Sequence, residues 1–148
     1  LEGTDVVYVQ RVATHKIMSV SLVPGSRLPA WCTSMGRVLL AALPEGEARA
    51  LLQASPIAAH TRRTITDLTA LMAVIAQVRA QGWALVNQEL EEGLISVAAP
   101  ITGRGGQVLA AINVSGQANR TNARAMQADI LPPLLAAARR ISGLLAGR

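Results

Sequence analysis

The chain has a single cysteine, Cys32, so no disulfide can form within it and a redox pair would need a thiol from elsewhere. Phenylalanine is missing altogether, and Tyr8, Trp31 and Trp83 are the only aromatic side chains apart from two histidines. The core must therefore be aliphatic, with the three large rings as amphipathic fillers at its margin. The longer apolar stretches, such as Met72 to Val78 and Leu131 to Ala138, fall far short of the ~20 residues of a membrane span. The start carries no basic-then-apolar signal segment, so the sequence reads as soluble and cytoplasmic, with no membrane partner. Catalytic spacings are also lacking. There is no Gly-x-Ser-x-Gly elbow, no Cys-x-x-Cys, no His-Glu-x-x-His and no phosphate-cradling glycine loop with a lysine. His15, in a turn, and His60, in a basic loop, lie outside any metal-ligand spacing. Glu89, Glu91 and Glu92 crowd one turn and read as a solvated acidic loop rather than an acid-base pair. No catalytic residue, metal or cofactor is expected.

What is present fits one domain. At 148 residues and 51% hydrophobic, the chain can bury roughly 68–70% of its unfolded surface. Its net charge of +5 comes from thirteen arginines and one lysine. They are scattered, with only Arg62-Arg63 and Arg139-Arg140 adjacent and no interleaved aromatics, which argues for a solvated face rather than a nucleic-acid surface.

Asp5 to Val12 and Lys16 to Val23 are β-rich and read as a hairpin. Val23 to Pro29 is a loop. Thr33 or Ser34 can cap a helix that runs to Leu43 and stops at Pro44, and the same proline suits the first turn of a helix that ends at Ser55-Pro56. Leu68, Leu71, Met72, Ile75 and Val78 mark one face of a further helix, started by Thr66-Asp67 and ended by Gly82. Trp83 to Asn87, Leu94 to Ile101 and Gln107 to Ser115 then form a three-strand meander. Thr121 to Leu145 is helical, with a kink or break expected at Pro132-Pro133. The order β-β-α-α-α-β-β-β-α predicts an α+β fold, an antiparallel sheet flanked by helices.

Binding chemistry has more support. Leu94, Ser96 and Ala98 share one strand face, and Leu109, Ala111, Asn113 and Ser115 share one on the neighbouring strand. A polar group on a buried face costs on the order of 1–3 kcal/mol unless it is hydrogen-bonded. Ser96, Asn113 and Ser115 are therefore either satisfied by neighbours or turned to a ligand. The helix start at Thr33-Ser34-Met35-Gly36 offers unpaired amides and the positive dipole end to a carboxylate, with Gly36 leaving room for close approach; the plainer alternative is that Ser34 only caps. Trp31 is either a core plug or an aromatic wall of the same pocket.

Taken together, these segments resemble the effector-binding domain of the IclR family of bacterial transcription regulators. Gly82, Glu89, Ser96, Val97, Ala98 and Ile101, in the run GWALVNQELEEGLISVAAPI, meet the family's signature spacing. Three positions depart: Val86 where an acidic or small polar residue is usual, Thr102 where an aromatic or histidine is usual, and Gly103 where Asp or Asn is usual. The stretch SRLPAWCTSMGRVLLA, Ser26 to Ala41, resembles the subgroup controlling aromatic-acid catabolism through the β-ketoadipate pathway, whose effectors include protocatechuate and 4-hydroxybenzoate. The resemblance covers essentially the whole chain and implies a GAF-like sheet, no enzymatic activity and a small organic acid as effector. It also implies a homodimer or tetramer, and DNA contact through an N-terminal winged helix-turn-helix domain absent before Leu1, so residues 1–148 are expected to be the effector-binding domain alone. By position, the family's pocket falls on Val20, Leu28, Ser34, Met35, Leu94, Ser96, Asn113 and Ser115, with Trp31 beside it. Two other readings of the same domain are a sensor of a short 2-oxo acid such as pyruvate or glyoxylate, which needs a smaller cavity, and a GAF-like thiol enzyme using Cys32. A dimerisation module with its interface along Ala123 to Leu145 is a third.

Overall fold

A computed structural model describes residues 1–12 and 22–147 of the chain. Strand β1 (Asp5–Val7) pairs antiparallel with β2 (Arg27–Pro29), setting Val6 opposite Leu28. The stretch expected to be loop up to Pro29 thus contributes a strand, with Pro29 at its end, where a missing donor is tolerated. Arg27 ties the pair down, its guanidinium donating to Asp5 at 3.1 Å and to Glu2 at 2.6 Å. The expected hairpin partner, Lys16 to Val23, lies largely outside the described residues, and its described end, Leu22-Val23, is not in a strand.

Helix α1 (Ser34–Ala41) starts on Thr33, whose Oγ1 accepts from the Gly36 amide at 3.3 Å. Helix α2 (Glu45–Ala54) follows directly, with Pro44 at its N-cap rather than inside the first turn, and Glu45 and Glu47 at its positive end. Helix α3 (Leu68–Gln81) is capped by Asp67, which accepts from the Ala70 amide at 2.8 Å, and is ended by Gly82 at φ 84°, a left-handed geometry that favours glycine. Leu71, Met72, Ile75 and Val78 form its buried stripe.

Strands β3 (Ala84–Asn87), β4 (Leu94–Thr102) and β5 (Val108–Gln117) form the meander, all antiparallel, with β4 in the middle. Strand β4 is buried on both faces. Ile95, Val97 and Ala99 meet Met126, Leu131, Leu134 and Ala138 from the C-terminal helical segment on one side. On the other, Ala98 joins the larger core with Trp31, Val38, Leu40, Leu71 and Ile75. The register places Ser96 opposite Ser115 and Ala98 opposite Asn113.

The C-terminal segment runs as α4 (Ala123–Ala125), a π-helical turn over Met126–Ile130, and α5 (Leu131–Ala146). The expected irregularity falls just ahead of the prolines. The Leu131 amide reaches back five residues to the Met126 carbonyl, and Pro132 and Pro133 then stand in the first turn of α5, a position that tolerates proline. No described helix is long and apolar enough to cross a membrane.

Candidate functional site

Four parts of the chain meet between α1 and the sheet and leave a pocket. The approach to α1 and its first turn supply Cys32, Thr33, Ser34 and Met35; β3, β4 and the loop between them supply Val86, Leu90, Leu94 and Ser96. Strand β5 adds Asn113 and Ser115, and the N-terminal strands add Leu28 and the adjoining Tyr8. Counting all atom-free space to its open mouth, the pocket amounts to about 380 Å³, whereas the volume open to the centre of a water molecule is about 30 Å³. The narrower figure accommodates a water or two, so an aromatic ring enters only if side chains such as Met35, Leu28 and Leu94 swing aside.

The polar groups sit where strand alternation puts them. Ser96 and Ser115 are directly opposed across β4 and β5, and Asn113 is two residues along the same face. The Ser34 and Ser96 hydroxyls share a hydrogen bond across the pocket wall, and the Asn113 side-chain amide donates to Ser115 Oγ at 3.4 Å. Each hydroxyl keeps spare donor or acceptor capacity. Because Thr33 takes the cap, Ser34 is free to face the sheet. The Thr33 hydroxyl and carbonyl take the Gly36 and Arg37 amides, so the Ser34 and Met35 amides are the ones with no acceptor inside the helix. None of the lining residues named above is charged at neutral pH. An anion here would be held by neutral hydroxyls, amides and the helix dipole.

Of the positions expected to line a pocket, Leu28, Ser34, Met35, Leu94, Ser96, Asn113 and Ser115 are brought together. Val20 lies outside the described residues. Trp31 is not on the wall. It is 1% exposed, packed in the core and stacked on His60 with ring centroids 5.6 Å apart. Gly36 does not serve ligand approach: a Cβ there would lie 2.1 Å from the Ala30 carbonyl oxygen, so the glycine lets α1 press against the Ala30 backbone. Burial pushes the Cys32 thiol up to about 12, leaving it protonated and a poor nucleophile at neutral pH.

The sequence reading missed a buried ion pair behind the pocket. Arg37 and Glu89, 1% and 7% exposed, meet in a two-pronged pair at 2.8 and 2.7 Å. Arg37 also donates to the Trp31 carbonyl at 3.0 Å, and the Ile65 amide donates to Glu89 at 3.3 Å. The hydroxyls of Thr61 and Thr64 donate to the carbonyls of Gln88 and Glu89, each at 2.6 Å. Glu89 is thus a structural clamp holding the β3–β4 loop, which carries Leu90, against α1. The signal was available, since Glu89 stands at a signature position. Tyr8 was missed too, although it is the chain's one tyrosine. Its side chain is half-buried, its main chain is fixed by bonds to Ser26 and Gly25 at 2.9 and 2.7 Å, and burial raises its phenol pKa.

An α+β domain with an aliphatic pocket edged by neutral hydrogen-bonding groups belongs, as a class, with small-molecule-binding regulatory domains. The chain is a member of the bacterial transcriptional regulator IclR family, matching the model of its C-terminal domain over residues 1–143. It is 49% identical over 148 residues to the Pca regulon regulatory protein of Pseudomonas putida, covering 99% of this chain and 51% of that protein. It therefore spans about half the length of that curated relative. A transcriptional regulator from Rhodococcus sp. RHA1 superposes with a TM-score of 0.93 at 47% identity, over 99% of this chain and 60% of that one. The PobR inducer-binding domain from Acinetobacter, solved as a double mutant with 3-hydroxybenzoic acid, superposes with a TM-score of 0.86 at 29% identity, over 97% and 85%. The family and these relatives are transcriptional regulators, not enzymes, and the thiol-enzyme reading of Cys32 falls with that.

Proposed function

We propose that residues 1–148 are the effector-binding domain of a regulator of aromatic catabolism, and that the pocket takes a small aromatic carboxylate such as protocatechuate or 4-hydroxybenzoate. The observation that carries this is the convergence of Ser34, Ser96, Asn113 and Ser115 with the Ser34 and Met35 amides, which have no acceptor inside the helix, on a largely apolar pocket. The likeness to a Pca regulon regulator and to a hydroxybenzoate-binding inducer domain supports the aromatic class. The carboxylate takes donors from the Ser34 and Met35 amides and from the serine and asparagine side chains, while Leu28, Leu90 and Leu94 enclose the ring. In the whole regulator, effector binding favours one arrangement of a homodimer or tetramer over another, with a coupling of about 1–3 kcal/mol, and DNA is contacted by a winged helix-turn-helix domain outside these residues.

Calorimetric titration with protocatechuate, 4-hydroxybenzoate and β-ketoadipate tests the reading. Saturable heat with an aromatic acid, weakened on the order of tenfold by Ser96→Ala, is the expected result; no heat with any of the three rejects it. The small volume favours a second reading, a sensor of a short 2-oxo acid. Heat with pyruvate or glyoxylate, and none with the aromatic acids, would establish that one instead.

A further inference from the structure

The polar groups assigned to the carboxylate come from α1, β4 and β5. Tyr8 approaches the same pocket from the N-terminal segment and brings a phenol that nothing in that assignment uses. We infer that Tyr8 is the specificity-determining residue of this pocket, its hydroxyl pairing with a hydroxyl on the effector ring so that hydroxylated benzoates are preferred over benzoate itself. The inference rests on the aromatic-acid reading and adds to it the group that tells one aromatic acid from another.

Three observations carry it. Tyr8 lines the pocket, yet among the described residues its hydroxyl makes no hydrogen bond to protein. A half-buried phenol without a partner invites one from a ligand, and it can both donate and accept. Its position is also held: the Tyr8 amide donates to the Ser26 carbonyl and the Gly25 amide donates to the Tyr8 carbonyl, at 2.9 and 2.7 Å. The chain around the ring is thus placed before any effector arrives. Of the other lining side chains that the carboxylate assignment leaves over, Leu28, Val86, Leu90 and Leu94 are aliphatic, the Cys32 thiol is fully buried, and the Thr33 hydroxyl is taken up by the Pro29 carbonyl and the Gly36 amide, so Tyr8 is the one of these able to meet a ring hydroxyl. A phenol is neutral and able to donate at physiological pH, and burial, which outweighs the opposing charge of Arg11, raises the Tyr8 pKa further. A site that hydrogen-bonds a ligand hydroxyl rejects the analogue lacking it, because the site's own polar group is then left unpaired.

The test is a four-way comparison: the 148-residue chain and its Tyr8→Phe variant, each titrated calorimetrically with 4-hydroxybenzoate and with benzoate. The unaltered chain should bind 4-hydroxybenzoate on the order of tenfold tighter than benzoate. In Tyr8→Phe the 4-hydroxybenzoate affinity should fall by about that factor while benzoate affinity stays within about twofold, which also shows that the pocket is intact. Unchanged discrimination in Tyr8→Phe, or an equal loss for both ligands, overturns the role of Tyr8 while leaving the aromatic-acid reading standing. An unaltered chain that binds neither ligand overturns the role of Tyr8, and the aromatic-acid reading falls with it only if protocatechuate and β-ketoadipate give no heat either.

Discussion

Removing the Glu89 carboxylate strands the Arg37 guanidinium in the interior with, among the described residues, only the Trp31 carbonyl as partner. Breaking one side of a buried pair costs about 3–5 kcal/mol, whereas replacing both partners with apolar groups of similar size is often close to neutral. Urea denaturation should therefore find Glu89→Ala severely destabilised and the Arg37→Met/Glu89→Leu double variant restored by most of that loss; a double variant no better than the single one refutes the clamp. Gly36→Ala should cost at least about 2 kcal/mol in the same assay, because the obstacle is the Ala30 backbone and cannot rotate away. Cys32 gives a pH prediction. Its pKa rises from 9.0 to about 12 on folding, so above pH 9 the unfolded chain loses a proton that the folded chain keeps. Its contribution is complete below pH 9 and is lost as pH climbs towards 12, at up to about 1.4 kcal/mol per unit. Denaturation of Cys32→Ala across that range should show a shallower decline than the unaltered chain; identical slopes would contradict the assignment. Single residues were the least legible scale, because burial of a charge depends on partners far along the chain. Arg37 and Glu89 are 52 positions apart, and one read as scattered surface charge and the other as a solvated turn.

Elements were far more legible, since caps and periodicity act within a few residues. Helix α3 shows it: the stripe Leu71, Met72, Ile75, Val78 and the stops at Asp67 and Gly82 all stand where the spacing put them. Asp67→Ala should lower stability by about 1 kcal/mol, measured by thermal melting, with Asp67→Asn nearly neutral. Where the reading erred, the deciding interaction was again distant. Nothing local tells Arg27–Pro29 that β1 is its partner, and two prolines in seven residues argue for a loop. The double proline at 132–133 announced a disturbance, but the structure puts it ahead of the prolines, as a widened turn at Met126–Ile130, with Pro132 and Pro133 themselves in the first turn of α5.

For the molecule as a whole, the α+β architecture and the meander at its centre followed from element order, and the pocket was half legible. Alternation alone put Ser96, Asn113 and Ser115 on connected faces, and cap chemistry put Ser34 beside a helix start; that these faces meet depends on α1 crossing β4, which no local pattern encodes. Trp31 illustrates the limit, since a large ring next to a helix start suits a pocket wall and a core plug equally, and only its burial in the core, with His60 stacked on it, decides. The central claim is that this junction of helix start and sheet holds an aromatic carboxylate. A crystal structure of the chain grown with 4-hydroxybenzoate tests it most directly. The acid's carboxylate should lie between Ser34 and Ser96, within hydrogen-bond reach of the first amides of α1, with its ring among Leu28, Leu90 and Leu94. An acid bound elsewhere, or the pocket still closed by those side chains at saturating ligand, would contradict the account.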